Sequence, residues 1–482
     1  MENNTIKDDG YFWWRDEPIP EGSFAPESAV AGVLTITNDG KISLELHGVL
    51  TSETELIPRF LSNESGSDCP DILGRLKSTS EYVLLSDVYN NGGKASFNGI
   101  SFEKYGATSC LIGAQEFSSG SEEIKYDGLR IPLNGFEDWL CMSSIDTIRT
   151  KRKLTSTYKT QKNIEFNLDD GSRLSIEFDL FGPYLGQSNS HSLSLTEQID
   201  LNYLPKDKQS SADLRKCFSS ISDLFLVLTG SDFSMEWPFI TMGGKKNTLK
   251  TYKFYFLRSR TSAASPARHS SWLTFPDIRE NFGQLFQQWQ KKRKDLGPGM
   301  SLYLGTRRGI QLYVEHRFVN LIWGLESLHR TINKDAPPTK LEKKVQRIIA
   351  QISATKDKKW LEGKLEHSAE PSLAERLVDC MKTLPLHIPQ TSINAFCKEC
   401  ADRRNDISHF GGQRVPGEYD AFLQQIHSLN EALTHLYPAI LLKECGFDDK
   451  SINDIFTKGR MAGRIKRTLQ EVGLQLTSNQ AH

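Results

Sequence analysis

Thr261-Ser262-Ala263-Ala264-Ser265-Pro266-Ala267-Arg268-His269-Ser270-Ser271 separates two kinds of hydrophobic pattern. The stretch is small, polar and proline-containing, so it reads as a linker. Upstream, apolar residues recur at every second position; downstream, they recur every three or four. That change of period sets the fold class. The chain is expected to be an α+β multidomain protein, with a β-rich region over 1–260 (a sandwich or irregular barrel), a linker over 261–275 and an all-α helical bundle over 276–482.

In the front part, Ala31–Thr37 and Ile42–His47 flank Asn38-Asp39-Gly40, a hairpin signal. Similar runs recur at 82–88, 109–113 and 163–168, and Arg173–Phe178 follows the Asp169-Asp170-Gly171 turn. Gly243-Gly244-Lys245-Lys246 reads as a hairpin turn between 235–242 and 249–257, without the spacing of a phosphate loop. One helix interrupts, over 210–229, with Leu214, Phe218, Ile221, Leu224 and Phe225 at helical spacing before Gly230. In the rear part, helices are expected at about 277–293 and 310–332, the second stopped by Pro337-Pro338. Others centre on Val345–Ile352, open at Pro371-Ser372, and run from about 391 to 409 and 417 to 443. Pro438 is an expected kink in the last.

The 482 residues, 38% hydrophobic and 10% aromatic, suffice for two to four domains with real cores. No apolar run approaches the length of a bilayer span, and Met1–Asp9 lacks the basic and apolar regions of a signal peptide. The sequence therefore reads as soluble and cytoplasmic, with no membrane partner. Eight scattered cysteines then read as free thiols. The net charge of −1 conceals an asymmetry: residues 291–482 hold 30 Lys and Arg against 22 Asp and Glu, leaving 29 against 38 upstream. A basic rear half suits a polyanion, and an unevenly charged solvated surface is the plain alternative.

Chemistry concentrates in Cys400-Ala401-Asp402-Arg403-Arg404-Asn405-Asp406-Ile407-Ser408-His409-Phe410. It joins a fixed cation, an amide and a group that titrates near neutral pH, which suits metal-independent cleavage of RNA. Asn405 and His409, four apart, share a helix face. Arg404 lies about 140° from His409 around the helix. Gly411-Gly412 should end the helix and leave His409 in its last turn. One copy looks incomplete, whereas two copies across a two-fold axis would surround one phosphate with two arginines and two histidines. Neutral His409 would take the 2′-hydroxyl proton, protonated His409 of the second copy would serve the leaving oxygen, and Arg404 would hold the developing charge. The plain alternative makes Arg404 a salt-bridge donor and His409 a C-terminal cap.

Segment 391–410, the helix Glu315–Arg330 and the opening Tyr11-Phe12-Trp13-Trp14 resemble ApeA-like proteins, prokaryotic anti-phage proteins with a C-terminal HEPN ribonuclease domain. The likeness covers most of the chain, and its sharpest part is Arg404-Asn405-Asp406-Ile407-Ser408-His409. The resemblance implies a homodimeric endoribonuclease toxin that needs no cofactor, cuts RNA at tRNA anticodon loops and acts by abortive infection on a phage-derived trigger. It makes Arg404, Asn405 and His409 the catalytic candidates. Arg403 also satisfies the Arg-x4–6-His spacing, and Glu326, His329 and Asp406 are accessory candidates. Lys291, Lys292, Arg293 and Lys294 are candidates for steering RNA, as is Arg464-Ile465-Lys466-Arg467. Two other readings stand beside this one: a non-catalytic dimeric adaptor binding RNA or a phage protein, and a zinc-stabilised module using Cys380, His387, Cys397 and Cys400.

Overall fold

The computed structural model describes residues 4–50, 71–94, 96, 99–181, 195–243, 249–309, 311–334, 340–365, 370–411, 417 and 419–477. The chain forms two compact units: Met1–Ser222 with Phe233–Ser265, and Asp223–Asp232 with Pro266–His482.

In the first unit, β1 (Asn4–Trp14), β2 (Val30–Thr37), β3 (Ile42–Leu46), β4 (Ile72–Leu76), β5 (Tyr82–Lys94) and β6 (Phe102–Gly113) pair antiparallel in a closed ring. Of the two expected β architectures, the barrel is the one observed. The period-two pattern creates its core: Leu34 faces Leu44 and Ile36 faces Ile42 across the β2–β3 ladder, and all four are buried. Phe12, Ile72, Val83 and Leu85 join them, and Trp14 meets Tyr105 edge-on at 5.5 Å. Each such aliphatic side chain removed from water contributes roughly 1.5–3 kcal/mol.

Strand β6 belongs to two structures. Residues 104–107 pair with β3 and close the barrel, while 109–112 pair with β14 (Leu249–Phe256). From β14 an open sheet continues through β13 (Phe239–Gly243), β7 (Gly128–Pro132), β12 (Thr196–Leu204), β11 (Arg173–Phe181) and β10 (Ile164–Asn167). The expected hairpin of 235–242 with 249–257 is the β13–β14 pair; its turn, 244–248, lies outside the described residues. Two further strands, β8 (Ile145–Arg149) and β9 (Leu154–Tyr158), pair with each other and, among the described residues, with no other strand.

The Asn38-Asp39-Gly40 turn sits where β3 gives way to β14. The Arg258 N–H donates to the Asp39 carbonyl at 2.8 Å, and Gly40 adopts φ +84°. A β-carbon at Gly40 would overlap the Phe256 carbonyl, so both conformation and space demand glycine.

Helix α1 (Glu137–Leu140) is one turn; α2 (Ser211–Thr229) ends at Gly230, whose φ is +69°. The later helices, all in the second unit, are α3 (Phe275–Ile278), α4 (Phe282–Leu296), α5 (Pro298–Arg307), α6 (Val314–Ile332), α7 (Lys340–Ala350), α8 (Thr355–Leu365), α9 (Leu373–Lys382), α10 (Gln390–Phe410), α11 (Tyr419–Glu444), α12 (Asp449–Thr457) and α13 (Ala462–Glu471). Helix α6 buries Phe318, Leu321, Ile322, Leu325 and Leu328, the stripe read from sequence. Ser372 and Glu375 form a capping box at α9. Pro438 lies inside α11, which continues to Glu444.

Residues 261–274 contain no helix or strand, yet Ser271, Trp272, Leu273 and Thr274 are buried. The Leu273 N–H donates to the Leu228 carbonyl at 2.9 Å, so the far end of this segment is core of the helical unit. The Pro337-Pro338 pair lies outside the described residues.

His435 on α11 is 4% exposed and stacks on Trp272 at 5.7 Å, with neither ring nitrogen hydrogen-bonded among the described residues. Burial, helped by the charges of Arg464 and Arg307 and opposed by Glu431, drives its pKa from 6.5 down to about 4. The unfolded chain binds a proton below about 6.5 that the folded chain refuses until about 4, so stability falls as pH drops through that window.

Two outcomes are expected from urea unfolding of the full chain. Gly40→Ala loses at least about 2 kcal/mol. Between pH 7 and pH 4, the native chain loses about 3 kcal/mol more than His435→Phe, which removes the titrating ring and keeps the stack. A parallel pH dependence in both proteins contradicts the second.

Candidate active site

Helix α10 presents a buried face made of Ile393, Phe396, Cys397, Cys400 and Ala401. Cys397 and Cys400 are both 0% exposed, one turn apart on the side that packs inward. That anchoring sets which way the next turn points. The helix stops at Gly411, which takes φ +70° and donates its N–H to the Asp406 and Ile407 carbonyls. His409 consequently sits in the last turn, as the glycine signal predicts. It is exposed and has no hydrogen bond or ion pair among the described residues.

Arg404 is held on two sides. Its Nη1 donates to Asn405 Oδ1 at 3.0 Å, and its Nη2 lies 3.6 Å from Glu326 Oε2 on α6. Its side chain is 22% exposed, and its buried Nε has no acceptor among the described residues. Asn405 therefore spends its carbonyl on Arg404, and no Asn405–His409 hydrogen bond is present among the described residues.

Arg403, the rival arginine, is otherwise engaged. Its Nε donates to Glu399 at 2.8 Å, its Nη1 to Asp406 at 3.1 Å, and its guanidinium lies 5.8 Å from the Phe422 ring centre. Asp406 is 5% exposed and occupied with this pair. These two residues staple α10, whereas Arg404 turns to different partners, Asn405 and Glu326.

Glu326 is the sequence-predicted accessory residue that the fold brings to Arg404. It also accepts from Arg330, one turn along α6, at 3.2 Å. Arg330 reaches Glu370 at 2.7 Å, and Glu370 in turn accepts from Arg376. Arg376 Nη1 lies 3.5 Å from His329 Nδ1, and His329 Nε2 lies 3.3 Å from Asp379 Oδ2. Arginine only donates, so His329 carries its proton on Nε2 and passes it toward Asp379. Burial lowers its pKa, with Asp379 opposing. His329 is itself 6% exposed and pairs with Asp379 and Arg376 at the far end of this network. Glu370, Arg376 and Asp379 were not singled out from the sequence; only the Glu326–Arg330 spacing was there to be read.

Of the basic run on α4, Lys292 pairs with Glu444 at 3.4 Å and Arg293 with Asp223, while Lys291 and Lys294 are exposed. Arg464, Lys466 and Arg467 are exposed on α13. The set Cys380, His387, Cys397 and Cys400 does not gather: no group of three His, Cys, Asp or Glu close enough for a metal occurs among the described residues. Cys380 Sγ points to the Leu325 carbonyl at 3.8 Å. Burial raises the Cys380 and Cys397 thiols to about 12 and Cys400 further. They pack as small apolar side chains.

A barrel-containing β-rich unit followed along the chain by a helical bundle that carries Arg404-Asn405 and His409 at the end of one helix is the architecture of a multidomain HEPN protein. The family models agree. ApeA N-terminal domain 1 matches residues 9–289 and Apea-like HEPN matches 319–451, so this chain belongs to the ApeA family. No curated protein and no solved structure gives a match.

The buried thiols make a prediction. Among the described cysteines, only the half-exposed Cys141 and Cys217 should react with a thiol reagent at neutral pH. Cys110, Cys380, Cys397, Cys400 and Cys445 should react only on unfolding, as read by mass spectrometry of labelled peptides. Rapid native labelling of Cys397 or Cys400 contradicts the packing described.

Proposed function

We propose that this chain is a metal-independent endoribonuclease that works as a homodimer in anti-phage defence. One observation carries the reading: Arg404, braced by Asn405 and Glu326, and the exposed His409, without a partner among the described residues, occupy the last turns of one helix that ends at Gly411. About 140° separates the two side chains around that helix, so one copy offers a phosphate an incomplete set of donors. A second copy related by a two-fold axis supplies the missing pair.

The reaction is a transesterification within RNA. Neutral His409 removes the ribose 2′-hydroxyl proton as that oxygen attacks the adjacent phosphorus. The bond from phosphorus to the 5′-oxygen breaks, and His409 of the second copy, in its imidazolium form, protonates the departing oxygen. The products are a 2′,3′-cyclic phosphate and a 5′-hydroxyl. Arg404 binds the phosphorane through its planar fork, and Glu326 keeps that fork in place. DNA has no 2′-hydroxyl and is not cut by this route. The substrate proposed from the family resemblance is a tRNA anticodon loop, with a phage-derived signal as trigger and arrest of translation as the outcome.

Arg404→Ala and His409→Ala are each expected to slow cleavage by at least about 10³-fold. His409→Ala should leave the unfolding midpoint unchanged, because the ring is exposed. Cleavage should persist in EDTA, and the rate should fall on both the acid and alkaline sides of its maximum, because two imidazoles act in opposite protonation states. Sequencing of RNA ends from cells expressing each chain measures activity, substrate and end chemistry together. Unchanged cleavage in both variants would remove Arg404 and His409 from the chemistry, and RNA ends no different with the native chain than without it would favour the non-catalytic adaptor.

A further inference from the structure

Strands β8 and β9 form a two-stranded ribbon whose ladder joins no other sheet among the described residues. Its base is fixed: Ser144 is 3% exposed, its N–H donates to Glu197 at 3.0 Å, and its carbonyl accepts from the Lys159 N–H at 2.8 Å. Above the base, neither face is buried. On one face Thr147 pairs with Ser156 and Arg149 with Leu154; on the other Ile148 pairs with Thr155, and Ile148 and Leu154 are 67% and 65% exposed. A two-stranded hairpin with no covered face gains little from burial, so packing does not explain its sequence.

Its charge is unusual for its surroundings. Residues 147–164 contain Arg149, Lys151, Arg152, Lys153, Lys159 and Lys162 and no acidic residue, in a front half where acids outnumber bases 38 to 29. All six are exposed, and none forms an ion pair among the described residues. The apex is closed by Thr150 and Lys153, with the Thr150 N–H donating to the Lys153 carbonyl at 2.8 Å. Lys151 and Arg152 therefore take the two central positions, where short hairpins favour asparagine and glycine. Mutual repulsion at that tip is unfavourable in the free protein and is relieved by an anion.

We infer that the Ile145–Tyr158 hairpin is an RNA-docking ribbon, which grips the phosphodiester backbone of a structured RNA through Lys151, Arg152 and Lys153 while exposed Thr and Ser hydroxyls along its strands add polar contacts. The inference rests on the proposed RNA-cleaving role and names which part of that substrate this chain holds apart from the scissile bond. Structured RNA is recognised largely by shape and by contacts to its backbone, which an exposed cationic tip can make without reading base edges.

The test uses the full chain carrying Arg404→Ala and His409→Ala, so that RNA stays intact, and a fluorescein-labelled RNA stem-loop followed by anisotropy across a salt series. Adding Lys151→Gln, Arg152→Gln and Lys153→Gln should weaken binding at least tenfold at low salt. It should also reduce the slope of log affinity against log salt by about two to three units, one per lost phosphate contact. Circular dichroism should be unchanged; should the triple variant misfold, single Lys151→Gln and Arg152→Gln changes should each reduce the slope by about one. Separately, the triple change in the otherwise native chain should slow cleavage of the stem-loop and spare cleavage of a short unstructured oligonucleotide. Hairpin-dependent binding without any cleavage would remove the nuclease reading and leave this one standing. Equal affinity and equal slope with and without the hairpin cations would overturn it, as would hairpin-dependent binding to anionic phospholipid vesicles with RNA binding unaffected.

Discussion

The helical unit depends on how α10 is seated. Its inward face, Phe396, Cys397, Cys400 and Ala401, excludes water, and that burial fixes the rotation of the helix about its axis. With the rotation fixed, Arg404 can only emerge toward α6, where Glu326 meets it, and Arg403 can only run along the helix to Glu399 and Asp406. Gly411 then stops the helix in a left-handed conformation that a side chain would disfavour, leaving His409 in the final turn. Each polar position in the candidate site follows from an apolar contact one or two turns away. The ion pairs from Glu326 through Arg330 and Glu370 to Arg376 and His329 brace the same corner. Arg376 is the buried member at 7% exposed, whereas the pairs through the half-exposed Arg330 are screened by solvent and contribute little each.

The β-rich unit rests on a different constraint, the divided use of β6. One edge of that strand serves β3 over its first part and β14 over its second, so a closed barrel and an open sheet share a backbone. The glycine turn at Asn38-Asp39-Gly40 marks the handover, because only a residue without a side chain passes beneath the Phe256 carbonyl. Closure protects the strand edges of the barrel, and the ribbon of β8 and β9 is left as an appendage.

Elements with one strong period were legible in the sequence. The α6 stripe, the Ser372 cap, the Gly411 stop and the β2–β3 hairpin follow from local rules and appear where those rules put them. Elements without such a signal were not. Helix α5 begins Gly297-Pro298-Gly299, which reads as a turn, although Pro298 at the first helical position suits a helix start. Helix α8 has no buried residue and hence no stripe. The ribbon, Ile145–Tyr158, is mostly Thr, Ser, Arg and Lys on both faces, so period-two burial never appears there. Residues 223–232, and the buried end of the 261–275 segment, join the helical unit through long-range contacts that no window of sequence contains. In the site, spacing allowed either Arg403 or Arg404; acids from another turn and another helix give the two different partners.

The central claim is that two copies of this chain complete one catalytic centre. Subunit mixing tests it most directly: native protein is re-equilibrated with growing fractions of the Arg404→Ala, His409→Ala double variant, and RNA cleavage is measured at constant total protein. The account predicts that activity follows the square of the native fraction, so that an equal mixture keeps about one quarter of the native rate. Activity that falls in direct proportion to the native fraction, about one half in the equal mixture, would mean that each chain cuts alone and would contradict it.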